Sequence, residues 1–124
     1  FNFTLINSRA EKAKQTINIE EKKIRQSSEN QVIPLRPDYL ANAIAAVFNQ
    51  LGWSYQMNSP YQFSANTGFN FISFGETITV EIYSNSMVKV ESKCSSPIQL
   101  VDWGKNKQNV QIFFNQLRMV ANVG

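Results

Sequence analysis

The most regular pattern in the chain runs from Leu40 to Leu51, where Leu40, Ile44, Val47, Phe48 and Leu51 recur at 4, 3, 1 and 3 residues and mark one apolar helix face. Pro37 suits the first turn, because its missing N–H would have no partner there. Asp38 complements the positive end of the helix dipole, and Gly52 is the expected stop. Arg36, which precedes the proline, is pushed away from the α region, so Val32 to Leu35 reads as a short extended stretch.

From Trp53 the period changes to two. Trp53, Tyr55 and Met57 share a parity, Asn58-Ser59-Pro60 interrupts the run, and Tyr61, Phe63 and Ala65 alternate again. Thr67-Gly68 reads as a turn. Phe69 to Phe74 is apolar on both parities and leads to Gly75, which leaves two readings open: a strand covered on both faces, or an irregular segment against the core. Thr77 to Tyr83 is the clearest strand, with Ile78, Val80 and Ile82 on one face. After the polar turn Ser84-Asn85-Ser86, Val88 and Val90 alternate with Lys89 and Glu91, completing a hairpin with one buried face. The last helix turns Val110, Phe113, Phe114, Leu117 and Ala121 inward and Gln108, Gln111, Asn115 and Arg118 outward. Helix, antiparallel strands, helix predicts an α+β fold, a two-layer sandwich in which a β-meander carries both helices on one face.

Residues 1–30 differ from the rest. Arg9 to Arg25 is rich in charge, and Ser27-Ser28-Glu29-Asn30 reads as a break, which divides the chain into an N-terminal arm, 1–30, and a domain, 31–124. Ile6, Ala10, Ala13, Ile17 and Ile24 fall near helical spacing, and Glu21 with Arg25 makes a favourable i,i+4 pair. The apolar stripe is thin, and Ile17 and Ile19 alternate as a strand would. Helix and extended arm both stand, and either needs a partner surface for stability. Ile6, Ile17, Ile24 and Arg25 are the candidate interaction residues of the arm.

Composition narrows the functional classes. A chain of 124 residues holds one core plus an appendage, and 43% hydrophobic content with nine phenylalanines places it among globular proteins. A net charge of +3, from 12 basic and 9 acidic residues, is too small to make a strong field for nucleic acid or anionic lipid. The absence of histidine removes the commonest metal ligand and proton shuttle. Cys94 is the only cysteine, which excludes an internal disulfide and a cysteine-built zinc site within one chain, and mildly favours a reducing compartment. No cofactor is expected. The longest apolar run, Ala43 to Phe48, is far short of the roughly 20 residues that span a bilayer. Because the chain begins at Phe1 and not Met, it reads as a fragment or processed product, compatible with an upstream anchor. The expected location is the cytoplasm or the cytoplasmic face of a membrane.

Reactive groups concentrate between Ser92 and Lys107. A nucleophilic Cys94 would need a base or a positive field, which Lys93 or a helix start could supply, but no cysteine–histidine dyad can form. Gly104-Lys105 lacks the first glycine of a phosphate loop, and Asn106 stands where that motif needs Ser or Thr. The segment fits a helix start better, with Asp102 or Asn106 accepting first-turn N–H bonds, Gly104 allowing a tight path and Trp103 packing inward. Lys105, Lys107 and Asn106 are the candidate anion or ligand contacts, since a helix start flanked by lysines binds phosphate or carboxylate. Glu81 and Glu91 lie at outward strand positions and Glu76 follows a turn glycine, so all three read as solvated.

Phe74-Gly75-Glu76-Thr77-Ile78, Ser92-Lys93-Cys94 and Asp102-Trp103-Gly104-Lys105-Asn106-Lys107-Gln108-Asn109-Val110 together resemble a pattern of small uncharacterised bacterial domains, with a strand, a serine-rich corner and an aspartate-x-glycine-x-asparagine helix start. The resemblance spans residues 37–120. It implies an α+β fold and a bacterial or plastid-like origin, and it brings no activity with it.

The leading expectation is a non-catalytic accessory domain that docks through its arm on a larger protein assembly or a membrane-tethered partner. Two alternatives stand beside it. One is a single-stranded nucleic-acid module using outward Tyr83, Lys89 and Arg118 with the aromatics of residues 53–74. The other is a small-ligand or lipid-binding domain with a pocket between the helices and the aromatic strands.

Overall fold

The computed structural model describes residues 26–68, 75–95 and 104–124. In chain order they form β1 (Gln26–Val32), α1 (Pro37–Leu51), β2 (Ser54–Ser59), β3 (Gln62–Asn66), β4 (Glu76–Ile82), β5 (Met87–Cys94) and α2 (Lys105–Ala121). The strands make one antiparallel sheet in the order β1-β5-β4-β3-β2. This is the expected α+β architecture, with the meander β2 to β5 running across the sheet and both helices sharing one core with it.

α1 forms as its sequence dictates. Arg36 is extended ahead of Pro37, and Gly52 takes the left-handed conformation that lets its N–H reach back to the Asn49 carbonyl. Leu40, Ala43, Ile44, Val47 and Phe48 are buried. Phe48 is the hub of the core, with ring centroids 5.1 Å from Tyr55, 5.3 Å from Phe113 and 6.0 Å from Phe63. At the start of the helix the Arg36 guanidinium bonds the Asp38 carboxylate at 2.9 Å and holds that carboxyl below its usual pKa of 3.8.

The hairpin of β4 and β5 sets Val80 opposite Val90 and Ile82 opposite Val88, all on the helix side. β3 adds Phe63 and Ala65 to that face. The polar stretch Ser27-Ser28-Glu29-Asn30, expected as a break, instead belongs to β1 and pairs with Val90, Glu91 and Ser92 and their neighbours along β5. Among the described residues the sheet thus already includes Gln26, inside the expected arm. An edge strand with one flank open to water needs few apolar residues, so its sequence looks like a loop. Beyond it, Ile33 is fully buried, with its N–H bonded to the Ser86 carbonyl. Ile6, Ile17, Ile24 and Arg25, and the segment 69–74, lie outside the described residues.

α2 lies over β1 and β5 and against α1. Its Arg118 bonds Gln31 on β1 at 2.9 Å and the Gly124 carbonyl at 3.0 Å, tying the edge strand to the end of the chain. No helix among the described residues is long and apolar enough to cross a membrane.

Candidate functional site

The inward face of α2 changes character along its length. Val110, Phe113, Phe114 and Leu117 are buried, but the first turns put Asn106 and Asn109 on the same face. Strand parity does the equivalent in the sheet. Glu76 shares the inward side of β4 with Ile78 and Val80, and Ser92 and Cys94 continue the inward side of β5 after Val88 and Val90. Five polar or sulfur-bearing side chains thus meet where apolar ones would be expected.

They satisfy one another. Asn109 Nδ2 donates to Glu76 Oε1 at 2.8 Å and to Ser92 Oγ at 3.3 Å. Ser92 Oγ donates to Asn106 Oδ1 at 2.7 Å, and Asn106 Nδ2 lies 3.6 Å from Cys94 Sγ. Thr67 completes the outer end, where its hydroxyl donates to Glu76 Oε1 at 3.1 Å and accepts from the Glu76 N–H at 2.9 Å. Among the described residues no buried side-chain nitrogen or oxygen lacks a partner. Because an unsatisfied buried polar group costs about 1–3 kcal/mol, this closure lets the cluster exist in the core.

Gly75 shapes the approach to the cluster. Its φ of +85° is a conformation that side chains rarely adopt, and a Cβ there would lie 2.9 Å from the Gly68 carbonyl carbon. Glycine at 75 lets the chain reach Glu76 while passing tightly over the end of β3.

Several expectations change at this point. Glu76, expected in solvent, is 1% exposed. Asn106, a candidate anion contact, is fully buried and spends its amide on Ser92 and Cys94. Lys105 and Lys107 are exposed, but they are two positions apart on a helix and so point about 200° apart, without converging on one ligand. Lys93 is exposed at the parity opposite Cys94, so its charge sits across the sheet from the thiol. Cys94 is buried opposite Glu76 on β4, and the Asn106 amide lies 3.6 Å from its sulfur, so the thiol is part of the polar cluster. Asp102 and Trp103 lie outside the described residues. Among the described residues no group of three or more acidic or cysteine side chains is placed to hold a metal.

Among the described residues the aromatic side chains of the segment 53–74 divide between core and surface, and Phe69, Phe71 and Phe74 lie outside the described residues. Phe63 is buried, Trp53 and Tyr55 pack on Phe48, and Arg118 is on the helix layer, away from the open face that holds Lys89. Tyr83 is exposed at the hairpin end, where its hydroxyl donates to Glu81 at 2.9 Å and its pKa is raised above 10.0 by that bond. The space between helices and strands is occupied by Phe48, Phe63, Phe113 and Phe114. On the open face, a shallow groove of about 310 Å³ is lined by Ser54, Gln56, Ser64, Asn66 and Thr77 together with Tyr55 and Ala65.

No protein-family model matches this chain, and none of the curated proteins compared with it matches either.

Proposed function

We propose that this chain is a non-catalytic interaction domain that docks on a larger protein assembly. The observation that carries the reading is the closure of the polar cluster: Glu76, Ser92, Cys94, Asn106 and Asn109, the groups best suited to chemistry, are buried and bonded to one another. Their role is then to fix the position of α2 on the sheet, and function belongs to the outer surface and to the charged arm that precedes Gln26. A segment with a thin apolar stripe and high charge is of the kind that becomes ordered on a partner.

The test is affinity capture with the full chain against Ile17→Asp/Ile24→Asp and Lys105→Ala/Lys107→Ala. A stoichiometric protein lost with the first pair and kept with the second is the expected result. Capture that is indifferent to the arm and lost with the lysines would overturn the assignment in favour of an anionic ligand at α2. Oligonucleotide binding with a steep salt dependence would overturn it in favour of the nucleic-acid reading.

A further inference from the structure

The two edges of the sheet are built differently. β1 carries Glu29 and is tied to α2 through Gln31 and Arg118. β2, at the other edge, reads Ser-Tyr-Gln-Met-Asn-Ser, and no Asp, Glu, Lys or Arg occurs anywhere from residue 39 to residue 75. Apart from the Arg36–Asp38 pair at the start of α1, that helix with β2 and β3 therefore forms an uncharged half of the domain. Charged side chains are a common means of keeping a strand edge from pairing with another chain, and β2 lacks them. A bulge between Met57 and Ser59 bends only its last residues, leaving the stretch from Ser54 to Met57 regular.

The helix side of this edge has the composition of an interface centre. Tyr55 and Met57 lie opposite Ala65 and Phe63, so they face the helix layer. Trp53 and Tyr55 are only partly covered, Met57 is 54% exposed, and Tyr61 at the adjoining turn is 45% exposed. Interfaces concentrate Trp, Tyr and Met and exclude Lys, Glu and Asp from their centres. Above the strand, Gln50 of α1 accepts a hydrogen bond from Gln116, so that flank of α1 faces α2. Ala41, nine residues back and half a turn round the helix, falls on the flank toward β2, with Ala45 near it. Small side chains there leave room for close approach.

We propose that two copies of this chain pair antiparallel through β2, joining their sheets edge to edge around a two-fold axis near Gln56. A second copy is the occupant that the charge pattern favours. In a two-fold contact every charge near the axis meets its own image, so only an uncharged edge pairs with itself without repulsion. Among the described residues no strand pairs with the outer edge of β2, and its backbone groups supply directional bonds that are self-complementary in the antiparallel sense. A six-residue edge is small beside the roughly 800 Å² per partner of a standard interface, so Met57, Tyr61 and the alanine flank of α1 supply the rest. This inference goes beyond the docking reading and does not depend on it.

Sedimentation of the full chain from micromolar to millimolar concentration is expected to show a reversible dimer, at twice the 14.1 kDa chain mass. Ser54→Lys/Gln56→Lys and Ser54→Glu/Gln56→Glu, both at exposed positions, should each weaken self-association at least ten-fold, and their equimolar mixture should restore it as a heterodimer. Cysteines at Ser54, Gln56 and Asn58, singly and mixed, read the register, because Cys94 is buried. Disulfides should form only between positions whose numbers add to one constant. Asn30→Cys on β1 should not cross-link. A monomer at every concentration, a dimer indifferent to the charged pairs, or cross-linking through Asn30→Cys would overturn the proposal. A monomer that still captures its partner in the arm-dependent manner above overturns the dimer and leaves the docking reading standing.

Discussion

Replacing Asn109 by Ala measures what the polar cluster contributes. The substitution removes the donor of a 2.8 Å bond to Glu76 Oε1 and of a 3.3 Å bond to Ser92 Oγ, both in the core. Taking away a partner from a buried polar group costs about 1–3 kcal/mol, and the 3.3 Å bond adds little beside the 2.8 Å one. Against this, alanine is the better helix former, by at most about 0.7 kcal/mol. The net expectation is a loss of about 0.3–2.3 kcal/mol, which two-state urea unfolding resolves as a lower midpoint at unchanged slope. Asn115→Ala on the outward face of the same helix is the control, because it makes the same propensity change with no buried bond. It should stabilise slightly. Equal effects at the two positions, within about 0.5 kcal/mol, would refute the account, since propensity alone would then explain both.

Further outcomes follow from neighbouring features. Gly75→Ala should destabilise by about 1–3 kcal/mol in the same unfolding assay, because it combines positive φ with a clash on Gly68. Cys94 should react slowly with a thiol reagent in the native protein and rapidly in urea, and equal rates in the two conditions would show that the thiol is not buried as described. Ultraviolet titration should find Tyr83 above 10.0, and Glu81→Gln should bring it back toward that value. The sign follows from a raised folded-state pKa: the contribution of this bond is fully present below pH 10.0 and is lost as pH rises through the raised value.

The sequence was legible where one physical rule acted alone. α1 shows its apolar period, its proline start and its glycine stop together, and the β4–β5 hairpin shows strict alternation, so both were readable without coordinates. β1 was not, because an edge strand open on one flank needs little apolar content and its pairing partner lies about sixty residues away. The turn glycine before Glu76 suggests solvent for the glutamate side chain. Its parity with Ile78, Val80 and Ile82 already placed it inward. In the same way Asn106 and Asn109 precede Val110 by four residues and by one, on the stripe that continues through Phe113 and Phe114. The signal was present as spacing and hidden by residue type, since polarity suggested solvent while periodicity demanded burial.

That conflict explains the use of the cluster. An apolar stripe such as Val110, Phe113 and Leu117 can shift along a sheet of Val and Ile with modest loss, because dispersion contacts have little directional preference. The bonds from Asn109 to Glu76 and from Ser92 to Asn106 close only when the first turns of α2 stand over the ends of β4 and β5 in one position. A shift by one residue rotates both asparagines by about 100° and leaves four buried polar groups without these partners. At about 1–3 kcal/mol each, such a penalty is comparable with the whole stability of a small domain. The apolar half of α2 holds the helix on the sheet, and the polar half decides where it sits.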